Sequence, residues 1–152
     1  MTAEPGAPEL TLAQVMLPED ANPHGNVHGG TLMKLADTAG GTCATRHARR
    51  PMVTAVMDSM TFEQPVYVGN LVVLQVCVTW TGRTSLETEV SIDAEDVLTG
   101  EVRHISTAYF VYVAIDDEGR PTPVRELDVV SDAQRRRWAD AERRRAARLA
   151  GR

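Results

Sequence analysis

Apolar and polar residues alternate most clearly between residues 84 and 93. The residues of one face are Leu86, Thr88, Val90 and Ile92, and those of the other are Ser85, Glu87, Glu89 and Ser91. A period of two residues is typical of a β-strand that buries one face. Other apolar runs, rich in β-branched residues, predict further strands over 9–17, 52–62, 70–81 and 104–115.

The stretch from Thr31 to about Arg46 has helical spacing instead. Its apolar residues recur three and four positions apart, and they are Leu32, Leu35, Ala36, Ala39 and Cys43. Two adjacent glycines, Gly40 and Gly41, lower the intrinsic helix propensity of this stretch. A helix tolerates such glycines where another element packs very close to it, as a curved sheet would.

One internal helix and about four long antiparallel strands pose a packing problem. The sheet has to wrap around the helix to bury it, and its outer face needs a cover of its own. An exposed sheet edge is best satisfied by pairing with a second copy, and the sequence contains no internal repeat to supply one. The pattern therefore predicts an α+β fold, an antiparallel sheet wrapped around one central helix, in a homo-oligomer.

The two ends of the chain differ in composition from the predicted helix-and-sheet domain. Residues 1–8 are rich in Pro, Gly and Ala and are expected to be flexible, which leaves 9–128 as the folded domain. Residues 129–152 form a tail in which Ser131 to Gln134 resembles a helix cap and eight arginines follow. We expect this arginine-rich helix to pack once, through Trp138, and then to fray. A basic patch near phosphates is the alternative; interspersed acidic residues argue against a nucleic-acid tail.

A polar loop leads into the central helix and is the strongest candidate for a functional site. Residues 20–28 are rich in turn-forming Asn, Pro and Gly, and Gly29 and Gly30 follow directly. The glycines let the backbone approach another molecule closely. A helix that begins here directs unpaired N–H groups and the positive end of its dipole into that space, which favours an oxygen carrying negative charge.

One carboxylate, Asp37, lies within the apolar helix. It follows Gly30 by seven residues, roughly 10 Å along a helix axis. At that distance it cannot easily act on an atom held by its own helix start, although it could act on one held by a second copy. The spacing thus favours a dimer with composite sites. The structural alternative is that Asp37 pairs with Lys34 on the surface of a capped core helix.

These features resemble a known family. The stretch from Ala21 to Gly41 is similar to the start of the hotdog-fold acyl-CoA thioesterases of the cytosolic acyl-CoA hydrolase type. Their pattern is an Ala-Asn-x-x-Gly-Asn-x-x-Gly-Gly loop, a central helix and an acid within it. Residues 53–69 resemble the second strand of the family, 82–90 its CoA-contacting loop and strand, and 98–100 with 107–113 its final hairpin. The resemblance covers most of residues 10–116.

The resemblance implies a hotdog fold and the hydrolysis of acyl-CoA to a carboxylic acid and CoA. Asn22 and Asp37 match the catalytic pair of the family, with Asp37 as general base or nucleophile. The backbone N–H of Gly30 or Thr31 would polarise the thioester carbonyl, and the acyl chain would lie along the helix between protomers. The nucleotide end of CoA would be held by Gly82, Arg83, Thr84 and Ser85. The implied assembly is a homodimer with composite active sites, or a hexamer built as a trimer of dimers.

His28 keeps other functions open. It is either an accessory general base or a side chain that packs beside the helix start and donates to a carbonyl. Hotdog hydratases and dehydratases acting on hydroxyacyl thioesters rest on a catalytic His with an acid, and a non-catalytic acyl-CoA sensor would need an output module. His24 and His28 lie in a turn without further ligands, so no metal site is predicted. No cofactor is expected beyond the CoA of the substrate.

The composition of the chain limits which binding partners and which cellular compartment the sequence predicts. The net charge of −5 argues against general nucleic-acid binding. No apolar run reaches membrane-spanning length, and no signal-peptide pattern opens the chain. Cys43 and Cys77 stand alone in apolar surroundings, which is typical of reduced core cysteines and favours a cytoplasmic protein.

Overall fold

The computed structural model describes residues 9–151, so the predicted flexible segment 1–8 lies outside the described residues. Within these residues, five strands and two α-helices form the fold. In chain order they are β1 (Leu10–Val15), α1 (Gly29–Ala48), β2 (Met52–Met57), β3 (Leu71–Thr81), β4 (Ser85–Glu95), β5 (Val102–Ala114) and α2 (Asp132–Ala150). Within residues 9–151, no helix is long and apolar enough to cross a membrane.

All five strands belong to one antiparallel sheet with the order β1-β3-β4-β5-β2. The alternation of β4 is confirmed on the inner face, where Leu86, Val90 and Ile92 are fully buried. The predicted strand over 52–62 is too long, because β2 ends at Met57. After Asp58 the chain leaves the sheet and crosses to the start of α1, where the ring of Phe62 packs against Gly29.

The helix α1 packs against the inner face of the sheet and contacts all five strands. It begins and ends two residues beyond the predicted limits. Four of the five predicted core positions are buried, namely Leu32, Ala36, Ala39 and Cys43, while Leu35 is partly buried. The expected close approach at the glycine pair is confirmed. A Cβ atom on Gly40 would lie 2.5 Å from the hydroxyl oxygen of Tyr112 and 2.9 Å from Oγ1 of Thr88.

The arginine-rich helix α2 does not fray after a single contact, as the sequence suggested. Its N-terminus is capped by Ser131, whose Oγ accepts from the N–H of Gln134. Trp138 packs beside Trp80 of β3, with ring centroids 6.1 Å apart. Further along, the guanidinium of Arg144 stacks on the ring of Tyr109 at 3.6 Å. Helix α2 therefore covers part of the outer face of the sheet along its length.

A buried ion network fastens α2 to this face. Glu87 belongs to the polar face of the alternating pattern, yet it is 0% exposed because α2 lies over it. Arg144 binds its carboxylate with two hydrogen bonds of 2.7 and 3.1 Å, and the hydroxyl of Thr79 donates to it at 2.6 Å. Arg148 lies 3.6 Å from the same carboxylate and donates to Asp58 at 3.0 Å. The last turns of α2 are thereby linked to the end of β2.

Strand β2 is one edge of the sheet and pairs only with β5 among the described strands. Val53 and Met57 are 44% and 40% exposed on this edge. Unpaired N–H and C=O groups beside exposed apolar side chains form a surface suited to pairing with another strand. The edge expected from the sequence to pair with a second copy is thus present on β2.

The first prediction concerns the glycine pair of α1. We expect Gly40→Ala to lower the free energy of unfolding by up to about 2 kcal/mol, since overpacking costs about 1–3 kcal/mol and the gain in helix propensity returns about 1 kcal/mol. Gly41→Ala is the matched control. Its new Cβ would lie 3.4 Å from the Tyr112 ring, an ordinary contact, so this variant should be as stable as the parent or more stable. Denaturant unfolding measures both, and equal stability of the two variants would contradict the prediction.

The second prediction concerns the ion network under α2. Arg144→Met should destabilise the protein by about 3 kcal/mol, because it leaves the buried carboxylate of Glu87 with fewer partners. Arg143→Met is the control, since the Arg143 side chain is 73% exposed and its pair with Asp140 should contribute under about 1 kcal/mol. Adding Glu87→Met to Arg144→Met should recover most of the loss. Thermal unfolding measures the three variants. If the double variant were the least stable of them, the stabilising role of the ion network would be contradicted.

Candidate active site

The loop before α1 is held by its own backbone and by one side chain. Oδ1 of Asn22 accepts from the N–H groups of His24 and Asn26, at 2.9 and 3.2 Å. Gly25 supplies the positive φ of 90° that this tight turn requires. Because Oδ1 is committed to the turn, the side-chain NH₂ of Asn22 is the group left to meet a ligand, and it has no hydrogen bond within residues 9–151.

Of the two backbone donors predicted at the helix start, only one is free within the described residues. The N–H of Thr31 donates to the carbonyl of His28 at 3.0 Å, whereas the N–H of Gly30 has no partner among the described residues. A Cβ on Gly30 would meet nothing within 4 Å, so the space beside it is open. Gly30 is therefore the better of the two predicted donors for an oxyanion.

His28 directly precedes α1, and the structure does not support the expected bond from its side chain to a carbonyl. The residue is exposed, and its imidazole has no hydrogen bond within the described part of the chain. Only its backbone is engaged, through an N–H that donates to the carbonyl of Asp20 at 2.9 Å. Within residues 9–151, neither a carboxylate nor a backbone carbonyl orients the imidazole.

Asp37 does not pair with Lys34, so the surface alternative for this carboxylate is wrong. Its Oδ1 accepts from the hydroxyl of Thr54 on β2 at 2.8 Å and from the hydroxyl of Tyr112 on β5 at 3.1 Å. The Tyr112 hydroxyl also lies 3.0 Å from the backbone carbonyl of Asp37. Two strands thereby fix the orientation of one carboxylate oxygen and leave Oδ2 without a hydrogen bond within the described chain.

The protonation state of the Tyr112 phenol suits its role as a hydrogen-bond donor to Asp37. Burial raises the pKa of its phenol, and the adjacent carboxylate of Asp37 raises it further. Tyr112 therefore stays a neutral O–H donor throughout the physiological range. A neutral donor orients the carboxylate without placing a compensating positive charge beside it.

A groove of about 590 Å³ begins at Asp37 and follows α1 toward its C-terminus. One wall is the exposed side of the helix, and the other comes from β2 and Tyr112. The lining includes four threonines, one of them Thr54, and two arginines. The lining residues beyond Asp37 on the way to the end of the helix include Thr38, Thr42, Thr45, Arg46, Arg49 and Met52.

The turn that resembles the CoA-contacting loop joins β3 to β4. It closes through a 2.8 Å hydrogen bond from the N–H of Gly82 to the carbonyl of Ser85. Gly82 is required here, because a Cβ would lie 2.6 Å from the ring of Trp80. Arg83 is exposed, and its side chain has no partner within residues 9–151. The carbonyl of Thr84 accepts from Ala114, which pairs in turn with Met52 of β2.

The candidate residues fall into three groups within one protomer. Asn22 and Gly30 lie at the start of α1, Asp37 lies on the next part of the helix, and residues 82–85 lie at one end of the sheet. No hydrogen bond joins Asn22 to Asp37 within the described protomer. Residues 9–151 contain no group of three or more His, Cys, Asp or Glu able to hold a metal ion.

Sequence reasoning missed Thr54 and Tyr112, the two donors to Asp37. Thr54 lies in an unremarked position of an apolar strand, and Tyr112 appeared only as part of the final hairpin. A weak signal was available for Tyr112, since the glycine pair predicts a large partner facing α1. No signal in one sequence marks Thr54, because its role depends on how β2 is placed beside the helix.

Comparison with known proteins identifies the family. Residues 24–101 match the sequence model of the Thioesterase superfamily. Protein VdlD of Helicobacter pylori is 32% identical over 143 residues, which cover 94% of this chain and 82% of that protein. The uncharacterized acyl-CoA thioester hydrolase YkhA of Bacillus subtilis is 39% identical over 109 residues, covering 72% of this chain and 63% of its own. The chain therefore belongs to the thioesterase superfamily.

Solved structures agree with this assignment and with the hotdog fold. A hexameric apo acyl-CoA thioesterase superposes with a TM-score of 0.88 at 31% identity, covering 93% of this chain and 90% of that one. An acyl-CoA hydrolase from Staphylococcus aureus, solved with butyryl-CoA, CoA and CoA disulfide, gives a TM-score of 0.82 at 31% identity over 93% and 89% of the two chains. Further structures of the S. aureus enzyme carry single alanine substitutions of an aspartate, a threonine and an asparagine.

Proposed function

We propose that this protein hydrolyses acyl-CoA thioesters to a carboxylic acid and CoA. The observation that carries the proposal is the oriented carboxylate of Asp37, fixed by Thr54 and Tyr112 on a helix whose start offers an unpaired N–H at Gly30. An oriented base and an oxyanion donor are the two elements that acyl transfer to water requires. The names of the relatives and structural neighbours support the same substrate class.

The reaction begins with a water molecule beside Asp37. Oδ2 of Asp37 takes a proton from the water while the water oxygen attacks the thioester carbonyl carbon. The carbonyl oxygen becomes an oxyanion and accepts a hydrogen bond from the N–H of Gly30, with the side-chain NH₂ of Asn22 as a further donor. Collapse of the tetrahedral intermediate breaks the C–S bond, and the proton held by Asp37 passes to the departing CoA sulfur. A nucleophilic role for Asp37, through an acyl anhydride, is the alternative.

The site is proposed to be composite. Within one α-helix, Gly30 and Asp37 are separated by roughly 10 Å, so the base and the oxyanion donor come from different protomers. The exposed β2 edge supplies the pairing surface, and β2 also carries Thr54, the partner of Asp37. Pairing through β2 would therefore bring the Asp37 end of one site toward the second protomer. Hexameric neighbours support an assembly of this kind, such as a trimer of dimers.

The substituted S. aureus positions support the choice of residues. The separations between the asparagine, the aspartate and the threonine along that chain equal those between Asn22, Asp37 and Thr54 here. We therefore add Thr54 to the proposed catalytic centre as the residue that orients the base. The CoA nucleotide is assigned to the turn formed by Gly82, Arg83, Thr84 and Ser85, whose hydroxyls and guanidinium are all donors to anions.

The two rival functions receive less support. A hydratase or dehydratase needs an oriented histidine with an acid, and His28 has no carboxylate partner among the described residues. A sensor would bind acyl-CoA without releasing its thiol. A cytoplasmic location remains our expectation, and one relative is the human cytosolic acyl coenzyme A thioester hydrolase, 32% identical over 138 residues. Those residues cover 90% of this chain and 36% of the human protein.

The third prediction tests the base. We expect Asp37→Asn to lower kcat for acyl-CoA hydrolysis by about 10²–10⁴-fold, because the amide cannot accept a proton from water. The fold should persist, since the amide still accepts hydrogen bonds from Thr54 and Tyr112. Release of free thiol measures the rate, and Asp140→Asn on the exposed side of α2 serves as control. A variant with near-parental kcat would show that Asp37 is structural.

The fourth prediction tests the composite site. Asn22→Ala and Asp37→Asn protomers should each be inactive alone, whereas their heterodimers contain one site in which both residues are intact. After subunit exchange, random pairing should restore about a quarter of the parental activity. Mass spectrometry of differently tagged subunits verifies the exchange. Exchange without recovered thiol release would place both residues of a working site in one protomer.

A further inference from the structure

A second chain of hydrogen-bonded functional side chains lies on the outer face of the sheet. Nδ1 of His104 lies 2.9 Å from Oδ1 of Asp93, and Nε2 of the same imidazole lies 3.1 Å from the hydroxyl of Thr107. Asp93 belongs to β4, and the other two residues belong to β5. We call these three residues the outer triad. Because α1 packs on the inner face, the sheet separates the outer triad from Asp37.

A β-bulge brings the outer triad together. In a regular strand, His104 and Thr107 would lie on opposite faces, because they are three residues apart. The register between β4 and β5 shifts between Ile92 and Asp93, and Ile105 is the extra residue on β5. An extra residue reverses the alternation, so both side chains of β5 lie on the outer face beside Asp93. Bulges that redirect a side chain in this way are over-represented next to active sites.

The chemistry of the three groups determines the direction of their hydrogen bonds. An ionised carboxylate only accepts, so Nδ1 of His104 carries the proton that it donates to Asp93. In the neutral imidazole Nε2 is then the acceptor, and the hydroxyl of Thr107 donates to it. A hydroxyl that donates to an imidazole, which is itself oriented by a carboxylate, is the arrangement that activates a nucleophile for acyl transfer.

Thr107 also lines a cavity of about 480 Å³ between α2, β5 and the segment that follows β2. This volume is within the range of pockets that hold small molecules. Two arginines of α2 form part of its wall, and each uses only part of its guanidinium for the ion network under α2. Nη1 of Arg144 and Nη2 of Arg148 have no hydrogen bond within residues 9–151. They are therefore donors available to an oxyanion that forms in this cavity.

We propose that Thr107 is the nucleophile of a second hydrolytic centre, which accepts small carboxylic esters. Oγ1 of Thr107 attacks the ester carbonyl carbon while its proton passes to Nε2 of His104. The C–O bond to the alcohol then breaks, the alcohol leaves with that proton, and an acyl ester of Thr107 remains. Water attacks this ester and gives a proton to Nε2, and the carboxylic acid departs as that proton returns to Oγ1. This activity does not depend on Asp37 and goes beyond the proposed function.

The test uses p-nitrophenyl acetate and an Asp37→Asn background, which removes the proposed thioesterase base and leaves the outer face unchanged. In that background, Thr107→Val and His104→Gln should each lower the release of p-nitrophenolate by about 10²-fold, because one removes the nucleophile and the other its base. Asp93→Asn should also lower it, since an amide that donates to Nδ1 selects the wrong tautomer. Thr107→Ser keeps a hydroxyl and should stay within about tenfold of the background rate. Thr11→Val, at an exposed threonine of β1, is the matched control and should change nothing.

Mass spectrometry after acid quenching locates the acetyl group, which should be on Thr107. If this ester is hydrolysed too fast to be trapped, the dependence of the rate on Thr107 still decides. Lys34 is the sole lysine of the chain, so acetylation confined to Lys34 would be an ordinary amine reaction and would overturn the proposal. A rate lost in His104→Gln but kept in Thr107→Val would also overturn it, because the imidazole itself would be the nucleophile. Equal rates in all variants would show that the outer triad only stabilises the pairing of β4 with β5.

Discussion

The close contact between Tyr112 and α1 at Gly40 is the constraint on which the rest of the molecule depends. With no side chain at Gly40, the helix approaches the sheet closely enough for the Tyr112 hydroxyl to reach the backbone and the carboxylate of Asp37. The same approach brings Asp37 within 2.8 Å of Thr54 on the edge strand. A larger residue at Gly40 would lift the helix and separate the carboxylate from both donors, so a packing requirement and a chemical requirement coincide at one glycine.

The sequence predicted the central helix, the five strands and the loop that precedes the helix, because each is specified by local periodicity or turn chemistry. It did not reveal the partners of Asp37. Thr54 and Tyr112 lie 17 and 75 residues away along the chain, and their contact with the carboxylate depends on strand order and register. Alternation indicates which residues share a face of a strand, but not which strand lies beside the helix. The roles of Asn22, Gly30, Asp37 and residues 82–85 stay predictions.

The outer face of the sheet shows why the expectation that helix α2 frays after a single contact was wrong. In the alternating pattern of β4, Glu87 has the appearance of a solvent-facing carboxylate. Its burial depends on Arg144, 57 residues further along, and on Thr79 of the neighbouring strand. The many arginines of α2 suggested a solvated helix, although several of them neutralise carboxylates of the sheet or pack on aromatic rings. Charge composition alone does not distinguish a solvated helix from one that is docked through ion pairs.

The edge strand β2 has a consequence for how such proteins can diverge. Because the strand that orients the proposed base also forms the pairing edge, a chain that carries two of these units in tandem would supply its own partner. The two units would then no longer share one sequence. One unit could keep the carboxylate while the other kept only the helix start. The residues of each unit that no longer serve the remaining active centre would then be free to change without loss of activity.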